Sequence, residues 1–171
     1  MRRQQATERM IMVGALCLAA CARAGDDVPP PPARAYPPLS RAVAQILNSN
    51  PGWHLGTNDD CTNPILRERL SDNPSFQAYR AHGDIDGDGT DDRVFVVIKE
   101  DSGKVYWVPG REDGFDSPRL IAALDWIRDG GVSVQRDGVV FGRFFSDVAL
   151  GWRWNRDKGK FDVISYNPAS N

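Results

Sequence analysis

The sequence predicts an α+β domain that is mostly β, with short N-terminal helices followed by an antiparallel β-meander. Near the start of the domain, apolar residues recur at helical spacing in one short segment, and a helix-capping pair opens a second. From Val94 onward, short runs rich in Val, Phe and Trp alternate with turns that contain Gly and Asp. The length of 171 residues is typical of one domain. We expect the strands to form a partial propeller-like sheet or a sandwich.

Two helices are predicted before the strands. The first covers Leu39 to Leu47 and ends at Asn50-Pro51-Gly52, which cannot continue a helix. The second runs through Leu70 and begins at Asn63-Pro64, because Asn is a good helix cap and Pro suits the first turn. A further short helix is predicted from Ser117-Pro118 to Trp126.

The strand pattern begins at Phe76 to Ala81, which leads into an acidic loop. Val94 to Ile98 is apolar at every position, so it is predicted to be a central strand buried on both faces. The remaining predicted strands are Val105–Val108, Val132–Val134, Val139–Phe145, Val148–Trp154 and Phe161–Tyr166. Gly- and Asp-containing turns such as Asp157-Lys158-Gly159 separate them.

Residues 1–20 have the features of an export signal. Three arginines precede an apolar run from Met10 to Ala20, and about 16 Å of helix from such a run is too short to span a bilayer. The run ends in Leu18-Ala19-Ala20-Cys21, which resembles the lipobox of bacterial lipoproteins. The resemblance implies cleavage before Cys21, lipid on its thiol, and acyl chains that hold the protein on a membrane. The alternative is an ordinary signal peptide followed by a chance cysteine.

Residues 21–38 are predicted to be a lipidated cysteine and a proline-rich spacer. The runs Val28 to Pro32 and Tyr36 to Pro38 favour an extended polyproline conformation. Residue 22 is Ala rather than Asp, and by resemblance to enterobacterial sorting this favours the outer membrane, facing the periplasm. The domain proper is predicted over 39–171. With Cys17 removed and Cys21 lipidated, Cys61 has no partner, so we expect no internal disulfide.

The charge of the chain argues against nucleic acid as a partner. There are 21 basic and 23 acidic residues, for a net charge of −2. The Lys and Arg residues are scattered along the chain and many lie beside an acid, whereas a phosphate-binding surface needs them clustered.

The sharpest motif is an acidic loop from Asp84 to Asp92. With Asp84 as position 1, carboxylates occupy positions 1, 3, 5 and 9, a glycine occupies position 6, and residue 7 can offer its backbone carbonyl. An array of oxygen ligands around a sharp turn suits Ca²⁺ better than the smaller Mg²⁺. Without a cation, such converging carboxylates would repel one another and leave the loop disordered. The predicted metal ligands are Asp84, Asp86, Asp88, Thr90 and Asp92.

Position 12 of this loop is Phe95, where a helical EF-hand requires Glu. A strand follows the loop directly, so the segment resembles the DxDxDGxxD loop of FG-GAP and integrin-propeller proteins. The resemblance implies a structural calcium ion that holds the loop, rather than a catalytic ion. An acidic surface turn is the alternative interpretation.

No catalytic motif is evident in the sequence. Neither GxSxG nor HExxH is present, and His54 and His82 have no partner at a recognisable spacing. Trp152 and Trp154 share one face of a predicted strand, and Arg153 points to the other. Core packing is the first expectation for the tryptophans. As residue types enriched at binding hot spots, all three are also candidates for a binding surface.

The last part of the chain adds a broader resemblance. Leu150 to Trp154 and Gly159 to Tyr166, with the lipobox and the single acidic loop, are similar to small envelope lipoproteins of Gram-negative bacteria, including immunity proteins that inhibit peptidoglycan hydrolases. We therefore expect a non-enzymatic, calcium-binding envelope lipoprotein that binds a periplasmic protein or a cell-wall component. An inhibitor of a peptidoglycan hydrolase, and an enzyme with an unrecognised site, are the alternatives.

Overall fold

The structure is a computed structural model, and it describes residues 37–136, 138–144, 146 and 149–165. The predicted signal peptide, Cys21 and the spacer through Tyr36 lie outside the described residues. Among the residues that are described, no helix is long and apolar enough to cross a membrane.

Helices occupy only the start of the described domain. They are α1 (Leu39–Asn48), a 3-10 turn (Asn58–Asp60) and α2 (Ile65–Asp72). The strands are β1 (His54–Leu55), β2 (Arg80–Gly83), β3 (Asp92–Lys99), β4 (Ser102–Val108), β5 (Gly110–Arg111), β6 (Gly114–Phe115), β7 (Arg119–Leu124), β8 (Gly130–Gln135), β9 (Gly138–Arg143), β10 (Ala149–Asn155) and β11 (Lys160–Ser165). The predicted α+β, mostly β class is therefore confirmed.

The strands form two larger antiparallel sheets and one hairpin. In the five-stranded sheet, β3 pairs with β4, and β4 pairs with β7. The other edge of β3 is shared by two short strands, with β1 opposite Val97 and Ile98 and β2 opposite Asp92 to Phe95. The four-stranded sheet is a meander in the order β11-β10-β9-β8. Strands β5 and β6 form the separate hairpin.

The centre of β3 is buried on both faces, as the uniformly apolar run from Val94 to Ile98 predicts. Val94, Val96 and Ile98 belong to the core shared with the four-stranded sheet. Phe95 and Val97 face the opposite way and pack with buried residues of α1. Helix α1 thus covers one face of the five-stranded sheet, and its apolar stripe is the reason that it forms there.

The second helix begins as its sequence predicts. The side-chain oxygen of Asn63 accepts a hydrogen bond from the N–H of Ile65 at 3.0 Å, and Pro64 has helical backbone angles. The helix extends to Asp72, two residues beyond its predicted end at Leu70.

The helix predicted after Ser117-Pro118 is wrong, because Arg119 to Leu124 is strand β7. It pairs with β4 through a register shift between Val105 and Tyr106. Without β7 that edge of β4 would lack a hydrogen-bonded partner, and such tertiary pairing overrides a weak local helix signal.

Aromatic side chains join the two sheets. Trp107 of β4 is fully buried, and its ring centroid lies 4.6 Å from Trp154 of β10 and 5.3 Å from Phe161 of β11. A backbone hydrogen bond of 2.7 Å from Val132 to Ala78 links β8 to the segment before β2. The core is therefore continuous between the sheets, close to the loop that joins β2 to β3.

Candidate metal centre

The acidic loop connects β2 to β3, two adjacent antiparallel strands. Gly87 and Gly89 have φ angles of 70° and 88°, a region that strongly favours glycine. The sharp turn predicted at Gly89 is therefore present. It folds the loop back so that alternate side chains point towards its centre.

Three of the five predicted ligands come together. Carboxylate oxygens of Asp84, Asp86 and Asp88 all lie within 4.8 Å of one another. Backbone N–H groups hold two of them: those of Asp88 and Gly89 donate to Asp84 at 3.1 and 3.0 Å, and that of Asp88 also donates to Asp86 at 3.2 Å. Thr90 donates from its N–H and its hydroxyl to Asp88. These bonds orient the three carboxylates.

Asp92 lies outside this cluster of three. Its buried carboxylate accepts the N–H of Ile85 at 2.9 Å and that of Gly110 at 2.6 Å. It thereby fastens the two ends of the loop to each other and to the β5–β6 hairpin. Gly110 is required at this contact, because a Cβ there would lie 2.6 Å from the carbonyl oxygen of Asp91.

Replacing Asp92 by alanine is expected to destabilise the fold by about 2 kcal/mol or more, because two buried N–H groups lose their acceptor. Urea denaturation in calcium and in chelator measures the effect. If Asp92 acts as this internal clamp, the loss is the same in both solutions. A loss that occurs only in calcium would instead identify Asp92 as a metal ligand.

The carboxylates of the cluster differ in their electrostatic environment. Burial raises the pKa of Asp86, and the neighbouring Asp88 carboxylate raises it further. Partial burial acts in the same direction on Asp88, but hydrogen bonds from Thr90 and the charge of Arg111 lower its pKa overall. Asp88 therefore favours its charged form more strongly than Asp86 does.

Two arginines distant in sequence contact the loop, and the sequence gives no local signal for either. Nη1 of Arg111 lies 2.7 Å from Oδ2 of Asp88 and 3.6 Å from Oδ2 of Asp86. Its Nη2 lies 2.9 Å from Asp116. Arg156 donates to the backbone carbonyl of Asp86. Folding of the hairpin and of the β10–β11 turn places these cations beside the loop.

A cleft of about 280 Å³ adjoins the loop. Its lining combines acids of the loop with aromatic and cationic side chains: Asp86, Gly87, Asp88, Trp107, Arg111, Arg119, Trp154 and Arg156. The guanidinium of Arg119 lies over both indoles, 5.2 Å from the Trp107 ring centroid and 5.4 Å from that of Trp154.

The structure separates the three residues predicted as a binding surface. Trp152 is only 5% exposed and belongs to the core. Trp154, on the same face, is half-buried and lines the cleft. Arg153 is exposed on the opposite face, next to Asp162 of β11 in the strand register. Core packing therefore accounts for Trp152, whereas Trp154 and Arg153 reach two different surfaces.

Both histidines contact an aspartate. His54 Nε2 lies 2.7 Å from Asp60, which in turn caps the 3-10 turn through the N–H and hydroxyl of Thr57. One oxygen of Asp60 thus contacts the imidazole, and its other oxygen accepts the hydrogen bond of the Thr57 hydroxyl. His82 lies 3.1 Å from Asp91 and is exposed. Cys61 is half-buried and free, and burial raises the pKa of its thiol.

The donor set fits a hard divalent cation. It consists of carboxylate oxygens converging on one turn, and a guanidinium already lies against two of them. Comparison with known proteins adds no assignment: no family model, curated protein or solved structure matches the chain.

Proposed function

We propose that this protein is a calcium-stabilised, non-enzymatic binding module of the bacterial cell envelope, held on a membrane by lipid on Cys21. The observation that carries the calcium assignment is the convergence of Asp84, Asp86 and Asp88 within 4.8 Å. The envelope location rests on the lipobox-like sequence and on the proline-rich spacer that follows it.

The position of the loop supports a structural role for calcium. It begins directly after the last residue of β2 and ends at the first residue of β3, and β3 lies at the centre of the five-stranded sheet. An ion held by the three carboxylates would relieve their repulsion and fix the loop against these strands. Because calcium would bind the folded protein and not the unfolded chain, it would stabilise the folded state.

Asp84→Asn and Asp88→Asn are each expected to abolish calcium binding, because each removes a charged oxygen ligand from the cluster. Titration calorimetry of the purified protein in detergent measures binding. At a calcium concentration of a hundred times Kd, the wild type should gain about 2.7 kcal/mol of stability over its value in chelator. Both variants should lose that gain.

Asp72→Asn is the matched control, since it removes one exposed carboxylate at the end of α2. It should bind calcium like the wild type. Absence of binding to the wild type at millimolar calcium would refute the metal site.

A more specific role, inhibition of a peptidoglycan hydrolase, rests on the sequence resemblance, and the cleft is the surface that we assign to a protein partner. A half-buried Trp154 flanked by Arg119 and Arg111 combines the residue types that are enriched at binding hot spots. Capture from envelope extracts, with and without chelator, tests for a partner, and an assay of wall hydrolysis tests for inhibition. Turnover of a wall, ester or phosphate substrate by the protein itself would instead favour the enzyme alternative.

A further inference from the structure

We infer that Arg111 sets the calcium affinity of the loop: its guanidinium is an internal cation for Asp86 and Asp88, and calcium has to displace it. This inference rests on the proposed calcium binding and adds the residue that opposes it. It concerns a side chain outside the loop, on the β5–β6 hairpin, 23 residues from Asp88.

The contacts of Arg111 place its charge on the same oxygens that the ion would use. Nη1 lies 2.7 Å from Oδ2 of Asp88 and 3.6 Å from Oδ2 of Asp86. The side chain is only 22% exposed, so bulk water screens these charges less than it would at an open surface. A divalent ion among the three carboxylates would therefore lie close to a fixed positive charge and be repelled by it.

Arg111 also has partners outside the loop that it would keep if its contacts with Asp86 and Asp88 were broken. Its Nη2 lies 2.9 Å from Asp116, and Nη1 donates to the carbonyl of its neighbour Gly110 at 2.6 Å. Arg111 thus bridges Asp116 and the loop, and Asp116 would keep the guanidinium once Nη1 leaves Asp88. Calcium binding would shift Arg111 towards Asp116, and a weaker Asp116 contact would leave Arg111 more firmly on the loop.

This arrangement predicts opposite effects for two substitutions. Arg111→Gln should tighten calcium binding about tenfold, because it removes the competing cation and leaves all three carboxylates in place. Asp116→Asn should weaken binding several-fold. In an Arg111→Gln background, Asp116→Asn should have little further effect, since Asp116 acts through the arginine.

Calorimetric titration of the purified wild type and of each variant with calcium chloride measures these affinities. Arg41→Gln, an exposed arginine on α1, controls for the change in net charge and should leave the affinity unchanged. Melting temperatures provide a second readout: in chelator Arg111→Gln should melt below the wild type, whereas the gain on adding calcium should be larger than the wild-type gain. Should the glutamine variant fail to fold in chelator, Arg111→Lys keeps the charge without the planar contact, and its affinity should lie between the two.

The possible results separate this inference from the proposed function. If the wild type binds calcium and Arg111→Gln binds it equally or more weakly, Arg111 does not compete and the inference is overturned, while the calcium site stands. If neither protein binds, the calcium site itself is refuted, and the inference with it. If Arg111→Gln binds calcium and the wild type does not, the result supports both the calcium ligands and the competition between Arg111 and calcium.

Discussion

Replacing Cys21 by serine is expected to release the protein completely from membranes, because the thiol that would receive the lipid is lost. Each buried CH₂ of an acyl chain contributes about 0.8 kcal/mol, so stable attachment depends on the chains rather than on the protein surface. Fractionation of cells and labelling with radioactive palmitate measure the effect. Label should appear in the wild type and be absent from the variant.

Cys17→Ser is the matched control, since Cys17 precedes the predicted cleavage point by four residues in the same apolar segment. It should be labelled and membrane-bound like the wild type. A Cys21→Ser protein that still fractionates with membranes would contradict lipid anchoring, provided that residues 22–171 alone do not bind them.

Trp107→Ala is expected to lower the free energy of unfolding by about 3–5 kcal/mol, the usual cost of removing a large buried aromatic side chain. Trp107 is fully buried and contacts Trp154 and Phe161 across the two sheets. Its indole N–H makes no hydrogen bond of good geometry within the described residues, but burial raises the pKa of the nearby Asp92 carboxylate and the indole lies close enough to lower it. Lost packing is therefore expected to supply most of the cost. Urea denaturation followed by circular dichroism measures it.

Leu120→Ala is the control, because Leu120 is 52% exposed on β7 and its truncation should change stability by less than about 1 kcal/mol. A double-mutant cycle with Trp154→Ala isolates the contact between the indoles, for which about 0.5–1.5 kcal/mol is expected. A change of under 1 kcal/mol in Trp107→Ala would show that this side chain does not hold the sheets together.

The elements that the sequence predicts well are those with a strong local pattern. The apolar stripe of α1 and the uniformly apolar centre of β3 are each strong local signals, and both elements occur where they are expected. Arg119 to Leu124 has no such pattern. Its structure is decided by the unpaired edge of β4, which is 11 residues or more away in sequence, so local propensity misassigned it.

The same distinction applies to the site. Asp84, Asp86 and Asp88 lie within one turn, so their spacing alone predicts their convergence. Asp92 satisfies that spacing too, but the fold brings it the N–H of Gly110, a partner 18 residues away. Arg111 and Arg119 reach the loop and the cleft only through tertiary structure. The period-2 pattern places Trp152 and Trp154 on one face of the strand. It does not indicate that Trp152 is buried and Trp154 only half-buried.

The five-stranded sheet leaves little backbone for another molecule to pair with. One edge of β3 is divided between a strand of two residues and a strand of four, and the strand at the far side, β7, is interrupted by a register shift against β4. Short and irregular edges of this kind prevent sheets of neighbouring molecules from joining. This sheet should therefore contribute little to intermolecular β-structure when copies of the domain are crowded together, whereas β11 is a six-residue edge of the other sheet with an exposed Val163.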